Sequence, residues 1–187
     1  PTPEIYTLSL HDALPISTVA RRGLGERVRP MVGDMARLDL QPGSFDLVWS
    51  EGALYNLGIE NALRVCRALL RPGGSVAFTD AVWLVADPPA EVKASFDLDY
   101  PTMGRVPEVV AAIARTGLSL EGHFPLPDEA WWDDFYTPME RRFGELRSAH
   151  AGDAEALGIL DQLAREPEMH RRSSDAYAYE FFVAARE

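Results

Sequence analysis

The chain reads as an α/β domain: a mostly parallel sheet with helices on both faces and a last strand running against the others. Three observations predict it. Short apolar runs rich in strand formers, at Phe45 to Trp49, Ser75 to Thr79 and Leu118 to Leu126, are bounded by polar or turn residues. Stretches of helical spacing lie between them, and alternation of strand and helix implies a mostly parallel sheet. Tyr177 to Ala185 then closes the chain with period-two alternation, which puts Tyr177, Tyr179, Phe181 and Val183 on one side.

With 187 residues, 47% hydrophobic and 25% charged, the composition is that of a soluble globular domain with one core. The net charge of −11 argues against nucleic acid, whose phosphates are held by clustered Lys and Arg. A single cysteine, Cys66, excludes an intramolecular disulfide; within a predicted helix it reads as a small buried apolar residue. No apolar run approaches the ~20 residues of a membrane span, and no signal peptide is visible, so the default location is cytoplasmic.

Taken in order, Glu4 to Ile16 (E-I-Y-T-L-S-L-H-D-A-L-P-I) reads as the translation of a common sequencing adapter. Residues 1–17 are therefore expected to be non-native, and His11 and Asp12 carry no catalytic reading. Ile5, Thr7 and Ser9 nevertheless alternate with Tyr6, Leu8 and Leu10, so the segment can be drafted as an edge strand. Gly23 reads as a helix C-cap. Val28 to Val32 form the first placeable native strand, marked as an edge by Pro30, and end at Gly33-Asp34-Met35. Pro42-Gly43 turns the chain into the apolar run Phe45, Leu47, Val48, Trp49, which breaks at Ser50-Glu51-Gly52. That is a buried strand with polar groups at its carboxyl end, where open α/β sheets bind ligands.

Gly58 to Leu70 follows as an amphipathic helix with Ile59, Leu63, Cys66, Leu69 and Leu70 near helical spacing, stopped by Arg71-Pro72-Gly73-Gly74. The next strand, Ser75 to Thr79, ends in Asp80-Ala81-Val82-Trp83. Two helices are predicted at Ala90 to Tyr100, with Val92 and Phe96 inward, and at Pro107 to Arg115, closed by Gly117. After the strand Leu118 to Leu126, an aromatic segment (Trp131, Trp132, Phe135, Tyr136) leads into charged helices with apolar stripes at Met139, Phe143, Leu146 and at Leu157, Leu160, Leu163. Residues 127–172 are expected to be an inserted helical lid; the alternative is that the aromatics only anchor these helices to the sheet.

The runs G-D-M at 33–35, P-G-S-F-D-L-V-W-S-E-G-A-L-Y-N-L-G and L-L-R-P-G-G-S-V-A-F-T-D resemble class I S-adenosylmethionine-dependent methyltransferases. W-S-E-G-A-L-Y-N, D-A-V-W and S-S-D-A-Y-A-Y-E-F-F-V-A-A-R look like a bacterial small-molecule subfamily. The resemblance covers Thr18 to the C-terminus and implies a Rossmann-like fold over 18–187, with the closing strand antiparallel beside the fifth. It also implies a first strand, a glycine-rich turn and a ribose-binding acid before Thr18. None is found, so the first strands are expected to be missing. An edge of the Phe45 to Trp49 strand is then open to pairing with another chain or with the adapter-like segment.

By the same resemblance, S-adenosylmethionine is the cofactor and Gly33, Asp34, Met35, Ser50 and Glu51 bind it, Asp34 accepting from the adenine amine and Met35 packing on the ring. A plain turn is the other reading of Gly33-Asp34. Methyl transfer from a sulfonium is a direct displacement that mainly needs alignment and the removal of at most one proton. Glu51 and Asp80, expected at adjacent strand ends in one cleft, are the catalytic candidates. Tyr55, Asn56, Trp83, Trp131, Trp132 and Tyr136 are the substrate-binding ones, since aromatic faces suit both a flat substrate and the cofactor's positive sulfonium. Glu51 could instead cap the following helix. His123 reads as structural, and His150 and His170 as solvent-facing; no metal spacing is present. Two rival readings are an inactive, non-enzymatic fragment and a nicotinamide-dependent oxidoreductase, the latter without G-x-G-x-x-G or Tyr-x-x-x-Lys.

Overall fold

The computed structural model describes residues 5–8 and 19–187. The chain divides into two compact units, Pro1–Gln41 and Pro42–Glu187. In the first, strand β1 (Ile5–Leu8) pairs in parallel with β2 (Val28–Met31), so the alternating segment near the N-terminus does enter a sheet. A helical turn at 19–21 closes at Gly23, whose φ of 64° suits glycine and whose N–H donates to the Ala20 carbonyl. The expectations for residues 1–4 and 9–18, His11 and Asp12 included, lie outside the described residues.

The second unit is built on four strands: β3 (Phe45–Glu51), β4 (Leu70–Trp83), β5 (Ser119–Pro125) and β6 (Tyr177–Ala185), in the order β3-β4-β6-β5. β3 and β4 are parallel, whereas β6 runs against both β4 and β5. Three strands therefore point one way and the closing strand the other, as the sequence leads one to expect. β3 is the outermost strand of this sheet.

Helix α1 (Ile59–Leu69) forms because Ala62, Leu63, Cys66 and Leu69 fall on one face, and that face is buried. Together with α3 (Val106–Arg115) it covers one side of the sheet. Alternate residues of β4 and β6 point into this layer: Val76, Phe78, Val82, Phe182 and Ala184 are all fully buried. Each large side chain so buried contributes about 1.5 to 3 kcal/mol. Phe78 and Phe182, direct partners across the strands, stack at 5.2 Å. Cys66 sits in this layer as anticipated, its thiol pushed up to about 11 by burial.

Arg71-Pro72-Gly73-Gly74 does end α1, but it is not the loop expected. β4 already begins at Leu70, which pairs with Phe45. The reason is close approach: a Cβ on Gly74 would lie 2.9 Å from the Phe45 carbonyl oxygen, so only glycine lets the two chains run side by side.

A smaller cluster at the other end of the sheet joins α2 (Ala90–Asp99) to the connection between β5 and β6 through Val92, Tyr100, Met103, Met169 and Tyr177. That connection contains α4 (Asp128–Trp131), a π-helical turn (Trp132–Tyr136), α5 (Thr137–Ala149), α6 (Ala154–Leu163) and α7 (Arg165–Ser173). Phe143 and Leu160 are buried as their stripes predict, but Leu163 is 49% exposed. Among the described residues, no helix is long and apolar enough to cross a membrane and no group of side chains could hold a metal ion.

Candidate functional site

β3 ends at Glu51, and the chain turns at Gly52, whose φ of 54° favours glycine. The Gly52 N–H donates to Thr79 Oγ1 at 2.9 Å, which ties this turn to β4. A Cβ here would meet the Tyr179 hydroxyl at 3.4 Å. Glu51 accepts from the Trp49 indole N–H at 2.6 Å and is otherwise exposed.

The register decides what faces what. Glu51 is opposite Thr79, so those two share a face, and Asp80 projects to the other one beside Glu180. The shared Glu51–Asp80 cleft expected from the sequence is therefore not formed, because the pairing sets Thr79 against Glu51. Ser50, opposite Phe78, likewise points to the helix-covered face.

Asp80 is 1% exposed and accepts from the Tyr100 hydroxyl at 2.9 Å, while its Oδ1 has no partner among the described residues. Burial pushes its carboxyl up to about 6, against the lowering effect of the Tyr100 hydrogen bond. It is a buried acid behind Tyr100, and Tyr100 is what reaches the site.

On the Glu51 side two adjoining cavities open, with Trp131, Glu166 and Tyr179 lining both. The larger, about 940 Å³, runs over Leu47, Trp49, Phe124, Phe181 and Val183. The smaller, about 290 Å³, is walled by Tyr55, Tyr100, Trp131, Tyr136, Tyr177 and Tyr179. Burial raises the pKa of Tyr100, Tyr136, Tyr177 and Tyr179, with Asp80 or Glu166 adding to it, so these phenols stay neutral.

Of the substrate-binding candidates, Tyr55, Trp131 and Tyr136 line the smaller cavity. Trp83 does not; it packs edge-on behind Phe96 at 5.4 Å. Trp132 does not line either cavity; half-buried, it packs on Tyr136 at 5.3 Å and lies under the Arg171 guanidinium, 4.6 Å from its ring. Asn56 spends its amide on the Ala53 carbonyl of its own turn. In the separate first unit, Gly33 precedes a turn from Asp34 to Arg37 centred on Met35 and Ala36, in which Asp34 Oδ1 accepts the Ala36 N–H at 2.9 Å.

His170 corrects a further expectation. It is 1% exposed, with Nδ1 against the Tyr177 hydroxyl and Nε2 against Asp128 Oδ1, both at 2.9 Å, and its ring lies 4.6 Å from Trp131. It joins α7 to α4 and β6 and so fixes Trp131. His150 is exposed, and His123 is paired with Glu180. The sequence reading missed Thr79, Tyr100, Glu166, Tyr177 and Tyr179 as site residues. Only the Tyr177-Tyr179 alternation signalled itself.

A family model described as a methyltransferase domain matches residues 11–78. No curated protein sequence matches the chain. Among solved structures, a Geobacter sulfurreducens S-adenosylmethionine-dependent methyltransferase in complex with S-adenosyl-L-homocysteine is 18% identical, with a TM-score of 0.78 over 97% of this chain and 75% of its own. Haemonchus contortus phosphoethanolamine N-methyltransferase 2, in complex with S-adenosyl-L-methionine, is 16% identical, with a TM-score of 0.73 over 98% of this chain. The [4+2]-cyclase SpnF is also 16% identical, with a TM-score of 0.73 over 98% of this chain. The chain spans 43% and 66% of the length of these last two proteins. The fold is that of class I methyltransferases.

Proposed function

We propose that this chain transfers a methyl group from S-adenosylmethionine to a small molecule held in the aromatic cavity beside Trp131. The observation that carries the reading is the turn at Glu51-Gly52, which lies at the carboxyl end of a parallel strand and lines the larger cavity, adjoining the aromatic one along Trp131, Glu166 and Tyr179. Bound there, the cofactor supplies an electrophilic methyl group on a positively charged sulfur. The lining residues fit such a cation, since both cavities offer aromatic rings and the Glu166 carboxylate and neither includes a basic side chain. Glu51 accepts hydrogen bonds from the cofactor, the Gly52 turn lets backbone approach it, and Ser50 contributes through its backbone.

Tyr55, Trp131 and Tyr136 hold the acceptor, and residues 127–172 act as its lid. Asp80 positions Tyr100 and touches no substrate. That SpnF, a cyclase, shares the fold keeps another chemistry on the same scaffold in view. Calorimetric titration of S-adenosylhomocysteine decides between cofactor binding and an inert chain. One-to-one binding, weakened roughly tenfold or more in Glu51→Gln, is expected from the loss of one charged hydrogen bond. No heat with the cofactor product, or a fluorescence change with reduced nicotinamide instead, would overturn the reading.

A further inference from the structure

We infer that the aromatic cavity of about 290 Å³ is a binding site for an alkylated ammonium group. In the methyl-transfer reading, on which this identification rests, the acceptor is then an amine, which enters as its ammonium, gives up one proton to solvent and takes the methyl on its freed lone pair as S-adenosylhomocysteine leaves.

The two adjoining cavities differ in the chemistry of their walls. The larger carries Leu47, Leu126 and Val183 among its aromatics; the smaller has no branched aliphatic side chain at all. A site shaped only to bury apolar surface has no need of that exclusion, whereas a cation gains from ring faces and not from leucine.

The rings also meet the cavity from several directions. Trp131 has Tyr136 parallel to it at 5.7 Å, Tyr177 edge-on at 6.0 Å and Tyr179 at 4.9 Å. Tyr55 and Tyr100, 5.1 Å apart, form a second wall, and Phe96 stands edge-on to Tyr177 at 4.8 Å. Trp131 is backed by the His170 ring at 4.6 Å, itself held between Asp128 and Tyr177. Such a preformed cage costs little ordering when a ligand enters.

Charge points the same way. Glu166 and Asp99 are the ionisable groups other than tyrosine in the lining, Glu166 accepts from the Tyr136 hydroxyl, and no Lys, Arg or His is among them. An anionic acceptor would meet two carboxylates with nothing to offset them. A bare metal ion would find no cluster of oxygen or nitrogen ligands among the described residues. An ammonium whose charge is spread over alkyl groups suits both rings and carboxylates.

Choline and its neutral carbon isostere 3,3-dimethyl-1-butanol, titrated calorimetrically against the full chain with and without saturating S-adenosylhomocysteine, test the assignment. Choline is expected to bind at least tenfold tighter than the isostere, in both conditions. Trp131→Ala should abolish that preference, Glu166→Gln should weaken choline several-fold in a salt-sensitive way, and Trp132→Phe should leave it unchanged. Circular dichroism checks that each variant is folded, and Trp131→Phe, which keeps a ring, should retain part of the preference.

Equal binding of choline and the isostere, or no binding of either by a chain that binds S-adenosylhomocysteine, overturns the ammonium site and leaves the methyltransferase reading standing. Choline binding by a chain that ignores S-adenosylhomocysteine supports the cage and sinks that reading instead. Expulsion of choline by S-adenosylmethionine but not by S-adenosylhomocysteine would mean that the cage holds the cofactor's sulfonium, and the acceptor assignment fails.

Discussion

The two faces of the four-stranded sheet are made by neighbouring residues and do opposite things. Toward α1 and α3, Val76, Phe78, Val82, Phe182 and Ala184 are sealed from solvent. One residue along each strand, Ala77, Thr79, Phe181, Val183 and Tyr179 line cavities, and on β3 Leu47 and Trp49 are 49% and 58% exposed. A period of two thus separates the part of the sheet that holds the fold together from the part that can receive a ligand. The two acids follow the same division: Asp80 belongs to the sealed face and Glu51 to the open one.

Breaking the sealed face should cost most. Phe182→Ala removes a fully buried ring stacked on Phe78 and is expected to destabilise the chain by about 3 to 5 kcal/mol in urea unfolding. A loss below ~1 kcal/mol would show that this face is not the core.

Asp80 sharpens the contrast through pH. Its folded pKa, raised to about 6 from 3.8, means that the unfolded chain gives up this proton first, so stability falls as pH rises between the two values. The loss is at most about 3 kcal/mol. Asp80→Asn, which can still accept from Tyr100, should match the parent below pH 4 and unfold at higher urea than it at pH 7.5. A variant less stable than the parent at pH 7.5 would contradict this.

At the junction of the two faces, Gly52→Ala places a Cβ at a φ of 54° and is expected to cost about 1 to 2 kcal/mol. It should also weaken S-adenosylhomocysteine binding, whereas a distant exposed glycine such as Gly144 changed to Ala should do neither. Least of all, Trp49→Ser on the open face should change stability by about 1 kcal/mol or less, although Trp49 lies 5.3 Å from Phe181. A larger loss would mean that this face is covered in solution.

Much of this was legible beforehand. The strand at Phe45, the helix stopped by Arg71-Pro72, the capped helix before Gly117 and the one-sided run Tyr177, Tyr179, Phe181, Val183 all follow from local pattern. Register was not legible. Nothing in W-S-E-G or F-T-D says that Glu51 pairs with Thr79 and not with Asp80, and one residue of slip moves a carboxylate to the opposite face. Long-range partners were equally hidden. His170 lies in a polar stretch, and its burial depends on Asp128, 42 residues away. Tyr100 and Glu166 carry no local sign of facing one cavity. The run Pro72-Gly73-Gly74 carries the signature of a helix stop, and nothing local shows that Gly74 serves a close interstrand approach.

The central claim is that ligand chemistry sits on the open face at the carboxyl end of β3. Ultraviolet crosslinking of methyl-labelled S-adenosylmethionine to the full chain, followed by peptide mapping, tests it most directly. Label is expected in peptides holding Trp49 to Tyr55 or Asp128 to Tyr136, and excess S-adenosylhomocysteine should suppress it. Label confined to α1 or α3, or incorporation that S-adenosylhomocysteine does not compete, would contradict the account.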